Sequence, residues 1–270
     1  GACFGSRWRL HMGAKRDWML VGCSALFALV GCSDSDKPTE NDYDSVAQAL
    51  GGVTATDDGG GEIGTMIDVS TIATGSPRIG IDLTASGSFS GTRLGLTYDY
   101  DVACADAAGA PIDPCSSASD SAAVNVKWSG ELDTAVLSGS VTRTGMIKVS
   151  NLKSGTVTIA GEGSLTVDAH FDALLRDATR DYHLSYDADY RDLLVQRAPA
   201  KVLGGSIHYT LDVERKATNG DRESSANFSI DAELTFDANG GAKLTLDGDH
   251  SYVVNTGTGV VANANADTKT

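Results

Sequence analysis

Apolar and polar residues alternate strictly along the second half of the chain. Between Tyr182 and Tyr190 every second residue is apolar, and the same period of two recurs in later segments. Successive side chains of a β-strand point to opposite faces of its sheet, so the pattern predicts antiparallel strands with one buried and one solvated face. Asn219-Gly220-Asp221 and Asp237-Ala238-Asn239-Gly240-Gly241 separate such segments and predict hairpin turns.

The alternating segments predict an all-β domain of about ten to twelve strands, mostly joined to their sequence neighbours. So many strands must curl or close to cover one face, and we expect an antiparallel meander that forms an up-and-down barrel, a half-barrel or a two-layer sheet. Trp128 occupies an apolar position of one strand and is expected in the core.

One short N-terminal helix is predicted before the strands. Thr39-Glu40-Asn41-Asp42 offers capping residues, Val46 and Leu50 follow at helical spacing, and Gly51-Gly52 is expected to end the helix. The next apolar segment, Ile63 to Ala73, fits a helix or a strand.

The N-terminal region has the three parts of a secretory signal. Met12-Gly13-Ala14-Lys15-Arg16 is basic, and Leu20 to Val30 is an apolar run. The run is shorter than the roughly 20 residues that a membrane-spanning helix needs. Gly31-Cys32 follows, and the composition then becomes polar and acidic. This order predicts an exported protein.

The tetrad Leu29-Val30-Gly31-Cys32 resembles the lipobox of bacterial lipoproteins. The resemblance implies a diacylglyceryl group on the thiol of Cys32 and cleavage just before it. Ser33 in the next position resembles the outer-membrane sorting pattern of Gram-negative lipoproteins. We therefore expect an outer-membrane lipoprotein of the bacterial cell envelope, facing the periplasm or the cell surface.

These features divide the chain into five segments. Residues 1–11 are interpreted as upstream sequence or a mis-assigned start, and residues 12–31 as the signal peptide. The lipidated cysteine, an acidic tether and the short helix then occupy residues 32–60. A single β-rich domain is predicted over 61–262, and a disordered tail over 263–270.

The charge limits the classes of possible partner, and the cysteine content predicts a disulfide. The formal net charge of −15 disfavours nucleic acid and anionic lipid headgroups, and leaves divalent cations or basic partners open. Cys104 and Cys115 form an even pair in an exported protein, which predicts a disulfide. Such a bond would stabilise the domain by roughly 2–3 kcal/mol.

Each face of the predicted sheet offers candidate binding residues. Histidines and carboxylates on the polar face are candidate ligands of a divalent metal, although a solvated acidic face explains them as well: His170, His183, His208, Asp168 and Asp187. Aromatic residues on the apolar face would line a ligand cavity, or else form an ordinary core: Tyr182, Tyr186, Tyr209 and Phe228.

The rest of the chain resembles uncharacterised lipoproteins of Gram-negative bacteria. The residues that carry this likeness are Gly91 to Tyr100, the pair Cys104 and Cys115, and Trp128 to Leu132. The resemblance implies no activity, site or cofactor. We expect a non-enzymatic lipoprotein with a structural or binding role. The alternatives are a carrier of lipid or another apolar ligand, and a hydrolase, metal-dependent or acid/base, on the acidic face.

Overall fold

The computed structural model describes residues 37–54, 61–93, 95–133, 138–172, 178–219 and 222–264. All of them lie in one compact unit, residues 35–270. The lipobox with Cys32 and residues 265–270 lie outside the described residues. In chain order the elements are α1 (Glu40–Thr54), α2 (Gly61–Ile72), β1 (Ile81–Ala85), β2 (Ser88–Arg93), β3 (Leu96–Ala105), β4 (Pro111–Ile112), β5 (Ser121–Asp133), β6 (Ser138–Ser150), β7 (Thr156–Asp172), β8 (Ala178–Arg197), β9 (Ala200–Asn219), β10 (Arg222–Phe236), β11 (Ala242–Leu246), β12 (His250–Val254) and β13 (Val261–Asn263).

The strands form one antiparallel sheet, which confirms the predicted all-β meander. The hydrogen-bonded order runs from β1 to β13 along the chain, except that the short β4 pairs with β3 beside the main path. Among the described residues β1 pairs only with β2, and β13 only with β12. The sheet is therefore open, and the closed-barrel alternative is wrong.

The strict alternation of the sequence sets the two faces of the sheet. Along β3 buried and exposed residues alternate almost without exception, and the 20-residue strands β8 and β9 follow the same rule over most of their length. Trp128 on β5 is fully buried, as predicted. The inner residues of the sheet and the apolar residues of both helices form one continuous core.

Helix α1 begins where the capping residues predict, but it does not end at Gly51-Gly52. A Cβ on Gly51 would lie 2.4 Å from the carbonyl oxygen of Gly259 and from a methyl of Val261. The helix therefore packs so closely on this segment that only glycine fits, and tertiary packing overrides the low helix propensity of the two glycines. Val46 and Leu50 are buried in the core, so α1 belongs to the domain that was predicted to start at residue 61.

The ambiguous segment after α1 is a second helix, α2. All its residues except Thr71 are buried, because the sheet and α1 surround it. A helix that is enclosed on all sides has no polar stripe, so its sequence lacks the period that would identify it. Neither described helix is long and apolar enough to cross a membrane.

Cys104 and Cys115 form the predicted disulfide, with their Cα atoms 5.5 Å apart. Cys104 is buried at the end of β3, and Cys115 follows the loop that carries β4. The bond therefore fastens this loop to the sheet.

Candidate functional site

The helices contact the inner face of the sheet through three carboxylates, each paired with arginine. The first, Glu62 on α2, accepts hydrogen bonds from Nε of Arg143 on β6 at 2.9 and 3.1 Å. Tyr190 and Tyr186 on β8 donate their hydroxyls to the same carboxylate at 2.7 and 3.3 Å. The side chains of Glu62 and Arg143 are 1% and 0% exposed. All four groups therefore form a closed polar cluster inside the core.

Two glycines that pair across neighbouring strands leave space for this cluster next to the sheet. Gly145 on β6 pairs with Gly163 on β7, and neither has a side chain on the inner face. A Cβ on Gly163 would lie 3.3 Å from Nη2 of Arg143 and 3.4 Å from the Tyr190 hydroxyl. The guanidinium can thus lie against the backbone of the sheet while it contacts Glu62 beneath α2.

The second cluster centres on Asp68, also on α2. Its carboxylate pairs with Arg93 on β2 and with Arg78, and accepts the hydroxyl of Tyr100 at 2.9 Å. Burial raises the pKa of Asp68, although Arg93, Tyr100 and Arg78 offset part of that shift. Arg93 also lies over the ring of Tyr98, 5.0 Å from its centroid. The cluster joins the end of α2 to the first strands of the sheet.

The third cluster fixes the first turn of α1. Asp42 accepts hydrogen bonds from the backbone amide and hydroxyl of Thr39 at 2.9 and 2.7 Å, which caps the helix. Arg215 on β9 donates to the same oxygen at 2.6 Å, and the hydroxyl of Tyr182 on β8 donates to the other at 2.9 Å. Asp42 is 1% exposed. It therefore joins the helix cap to the two longest strands.

Acid should weaken this third cluster. Burial alone would raise the pKa of Asp42, but the hydrogen bonds from Thr39, Arg215 and Tyr182 outweigh it and lower the pKa. A carboxyl whose pKa falls on folding stabilises the fold above its unfolded pKa of about 3.9, and that stability is lost as pH drops through the folded value. We expect Asp42→Asn to cost roughly 1.5–3 kcal/mol at pH 7 and to flatten the loss of stability below about pH 4, measured by urea unfolding. Asp99→Asn, at an exposed position of β3, is the control and should change neither quantity; equal effects of both would contradict the assignment.

The four aromatic residues predicted to line a cavity lie on the inner face of the sheet and are buried. Tyr182, Tyr186, Tyr209 and Phe228 are between 0% and 7% exposed. The hydroxyls of Tyr182 and Tyr186 are bonded to Asp42 and Glu62 of the helices. These hydrogen bonds place Tyr182 and Tyr186 between the sheet and the two helices.

Three of the five predicted metal ligands, His170, His183 and Asp168, lie on the outer face in two neighbouring histidine–aspartate pairs. Nδ1 of His183 on β8 lies 2.6 Å from Asp168 on β7, and Nδ1 of His170 lies 2.6 Å from Asp181. The side chain of Asp168 is 64% exposed, and its hydrogen bond from His183 lowers its pKa. Each histidine is thus paired across the strands with a solvated carboxylate.

The other two candidates, His208 and Asp187, lie two or more rows further along the sheet. They line a shallow outer groove of about 540 Å³ with Glu162, Asp189 and Met146. Asp189 pairs in register with both Glu162 and His208. Across the described part of the chain, no group of three or more His, Cys, Asp or Glu side chains is arranged to hold a metal ion.

Sequence reasoning missed the three buried ionic clusters. Arg143 occupies an inward position between Val141 and Ile147 of an otherwise regular alternation, and Glu62 and Asp68 interrupt an apolar segment. A charged residue at a buried position must find a partner, so these three positions carried a readable signal. Their pairing was not readable, because Glu62 and Arg143 are 81 residues apart.

Comparisons of the chain with protein-family models, with curated proteins and with solved structures find no match.

Proposed function

We propose that this protein is an exported bacterial lipoprotein with a structural or binding role at the cell envelope, held at the membrane by a lipid on Cys32. The lipobox is the observation that carries the proposal. The Cys104–Cys115 bond supports export, because disulfides form and persist in oxidising compartments. Ser33 after the lipidated cysteine favours the outer membrane.

The arrangement of the charged groups favours a structural or binding role over an enzymatic one. The buried carboxylates Asp42, Glu62 and Asp68 are each saturated by arginine and tyrosine partners that join helix to sheet. The outer histidines His170 and His183 are each paired with an exposed aspartate on an open sheet face. Groups bonded in this way stabilise the domain and its surface, and the outer face is the part that a partner could reach.

The lipid is tested by metabolic labelling of the full chain in a Gram-negative host with a clickable palmitate analogue. We expect the wild-type chain to carry the label and, by mass spectrometry, to begin at a modified Cys32. Cys32→Ala should lose the label completely, because the thiol is the attachment atom.

Cys23→Ala is the matched control, since Cys23 lies in the same apolar run but outside the tetrad. This variant should be labelled as strongly as the wild type. Label retained by Cys32→Ala, or lost equally from both variants, would contradict the proposal.

A further inference from the structure

The chain enters the domain at one end of the sheet. Asp42, in the first turn of α1, contacts Arg215 near the end of β9. Gly51, in the last turn, lies against Val261, whose row of paired residues leads through β12 and β11 to Phe236, the last residue of β10. The helix therefore begins where β8 and β10 begin and β9 ends. We call this the entry end; it comprises residues 178–181, 216–219 and 222–225, which pair with one another.

A short tether would hold the entry end close to the membrane, a step that rests on the proposed lipid at Cys32. Lys37, the first described residue, follows Cys32 by five positions. An extended chain spans at most about 3.6 Å per residue, so this segment can reach no further than about 18 Å. Surface groups at the entry end are therefore presented to the lipid headgroups.

A groove of about 420 Å³ opens at the entry end. Strand register places Lys216 on β9 opposite Asp181 on β8 and Ser225 on β10, and it places Thr218 opposite Glu223. Lys216 and Glu223 are thus diagonal neighbours on adjacent strands. The polar lining of the groove consists of one cation, two carboxylates and three hydroxyls: Lys216, Asp181, Glu223, Thr218, Ser224 and Ser225.

Two opposite charges in this groove are not used by the protein itself. Asp181 already has a partner, since Nδ1 of His170 lies 2.6 Å from its carboxylate. The side chains of Lys216 and Glu223 make no hydrogen bond or ion pair with any residue in the described part of the chain. Diagonal neighbours on adjacent strands are separated by roughly 7–8 Å. The groove therefore offers an ammonium and a carboxylate on two sides of one space.

We infer that this groove binds the zwitterionic headgroup of a membrane phospholipid that carries a primary amine, a phosphoethanolamine. Lys216 pairs with the phosphate, and Glu223 accepts a hydrogen bond from the ammonium of the lipid. The hydroxyls of Thr218 and Ser225 can donate to the phosphate oxygens. A headgroup without net charge avoids the repulsion that a protein of net charge −15 exerts on anionic lipids. The tether, which presents the groove to the bilayer, favours a lipid over a soluble zwitterion.

Native mass spectrometry of the mature lipoprotein in nanodiscs tests the headgroup. The discs contain equal amounts of phosphatidylethanolamine and phosphatidylcholine with identical acyl chains, so the two lipids differ only in the amine. Choline has no N–H group that could donate to Glu223. We expect bound ethanolamine lipid to exceed bound choline lipid by about two- to fivefold, the size expected for one exposed charge contact. A ratio of one would overturn the inference.

Two variants separate the roles of the two charges. Glu223→Gln should bring the ratio close to one, because the amine loses its anionic acceptor. Lys216→Gln should lower the amounts of both bound lipids and leave their ratio unchanged, because both carry the phosphate. Glu131→Gln and Lys148→Gln, at exposed positions of β5 and β6, are the matched controls and should change neither quantity. A ratio that survives in Glu223→Gln would contradict the assignment.

The source of the headgroup is tested with the free molecule. Phosphoethanolamine in solution should bind more weakly than the lipid in the disc, because the tether concentrates only the lipid at the groove. Equally strong binding of the free molecule would overturn the assignment to a lipid. Absence of the palmitate label from the wild-type chain would refute the anchor, whereas a ratio of one in labelled protein would refute the groove alone.

Discussion

Replacement of Arg143 by Met is expected to lower the free energy of unfolding by about 3–5 kcal/mol, because it leaves the carboxylate of Glu62 buried without its counter-ion. Glu62→Gln should cost a similar amount, since the guanidinium then loses its anion while it remains fully buried. Tyr190 would keep one hydrogen bond to whichever partner remains, but a phenol does not neutralise a charge.

The double variant Glu62→Gln/Arg143→Met should recover a substantial part of this loss. A buried ion pair that is replaced on both sides leaves no unpaired charge, and such replacements are often close to neutral. A double-mutant cycle by urea unfolding measures the coupling, which should reach about 3 kcal/mol or more, at or above the upper end of the range for groups in direct contact. Additive single effects would show that the two side chains act independently, which contradicts the observed hydrogen bonds from Nε of Arg143 to both carboxylate oxygens of Glu62.

The outer face supplies a matched control. Arg191 and Asp189 form an ion pair at 2.7 Å, as short as the buried one, but both side chains are more than half exposed. Arg191→Met should cost less than about 1 kcal/mol, because water replaces the lost partner. Equal costs for Arg143→Met and Arg191→Met would mean that burial of the Glu62 pair has no energetic weight.

The sheet could be predicted from sequence because its information is local. Over most of β8 and β9 the inward residues are two positions apart, so the pattern alone places Tyr186, Tyr190 and Tyr209 on one face. The cap at Thr39 and the Cys104–Cys115 pair were also readable, since each rests on residue types within a short window. Each of these predictions depends only on residues that lie close together in the sequence.

The packing of the helices against the inner face could not be predicted from the sequence, because it depends on segments that are far apart along the chain. Helix α2 is enclosed on all sides and therefore lacks a helical period of apolar residues, and α1 requires glycine at position 51 because the backbone of Gly259 lies against it. The same holds for the outer histidines: alternation places His170, His183 and His208 on one face, but only the strand register pairs the first two with Asp181 and Asp168 and separates the third.

Replacement of Trp128 by Ala is expected to be the second severe change. It should lower the free energy of unfolding by about 3–5 kcal/mol. Trp128 is fully buried in the middle of β5, and its register partners are Tyr98 on β3 and Arg143 on β6. The rings of Trp128 and Tyr98 lie 6.1 Å apart and are tilted by 41°. The indole therefore fills the core between the Asp68 cluster and the Glu62 cluster, and its removal opens a cavity beside both.

The loss in free energy of unfolding should increase with the volume of side chain that is removed from position 128. Trp128→Phe keeps an aromatic ring and most of the apolar contact, so it should cost clearly less than Trp128→Ala in the same urea unfolding experiment. Val253→Ala on β12 is the surface control, because Val253 is 54% exposed and its truncation should stay within about 0.5 kcal/mol. If Trp128→Ala costs no more than Val253→Ala, the packing of the inner face around Trp128 is not what stabilises the sheet, and the two ionic clusters must hold α2 in place without it.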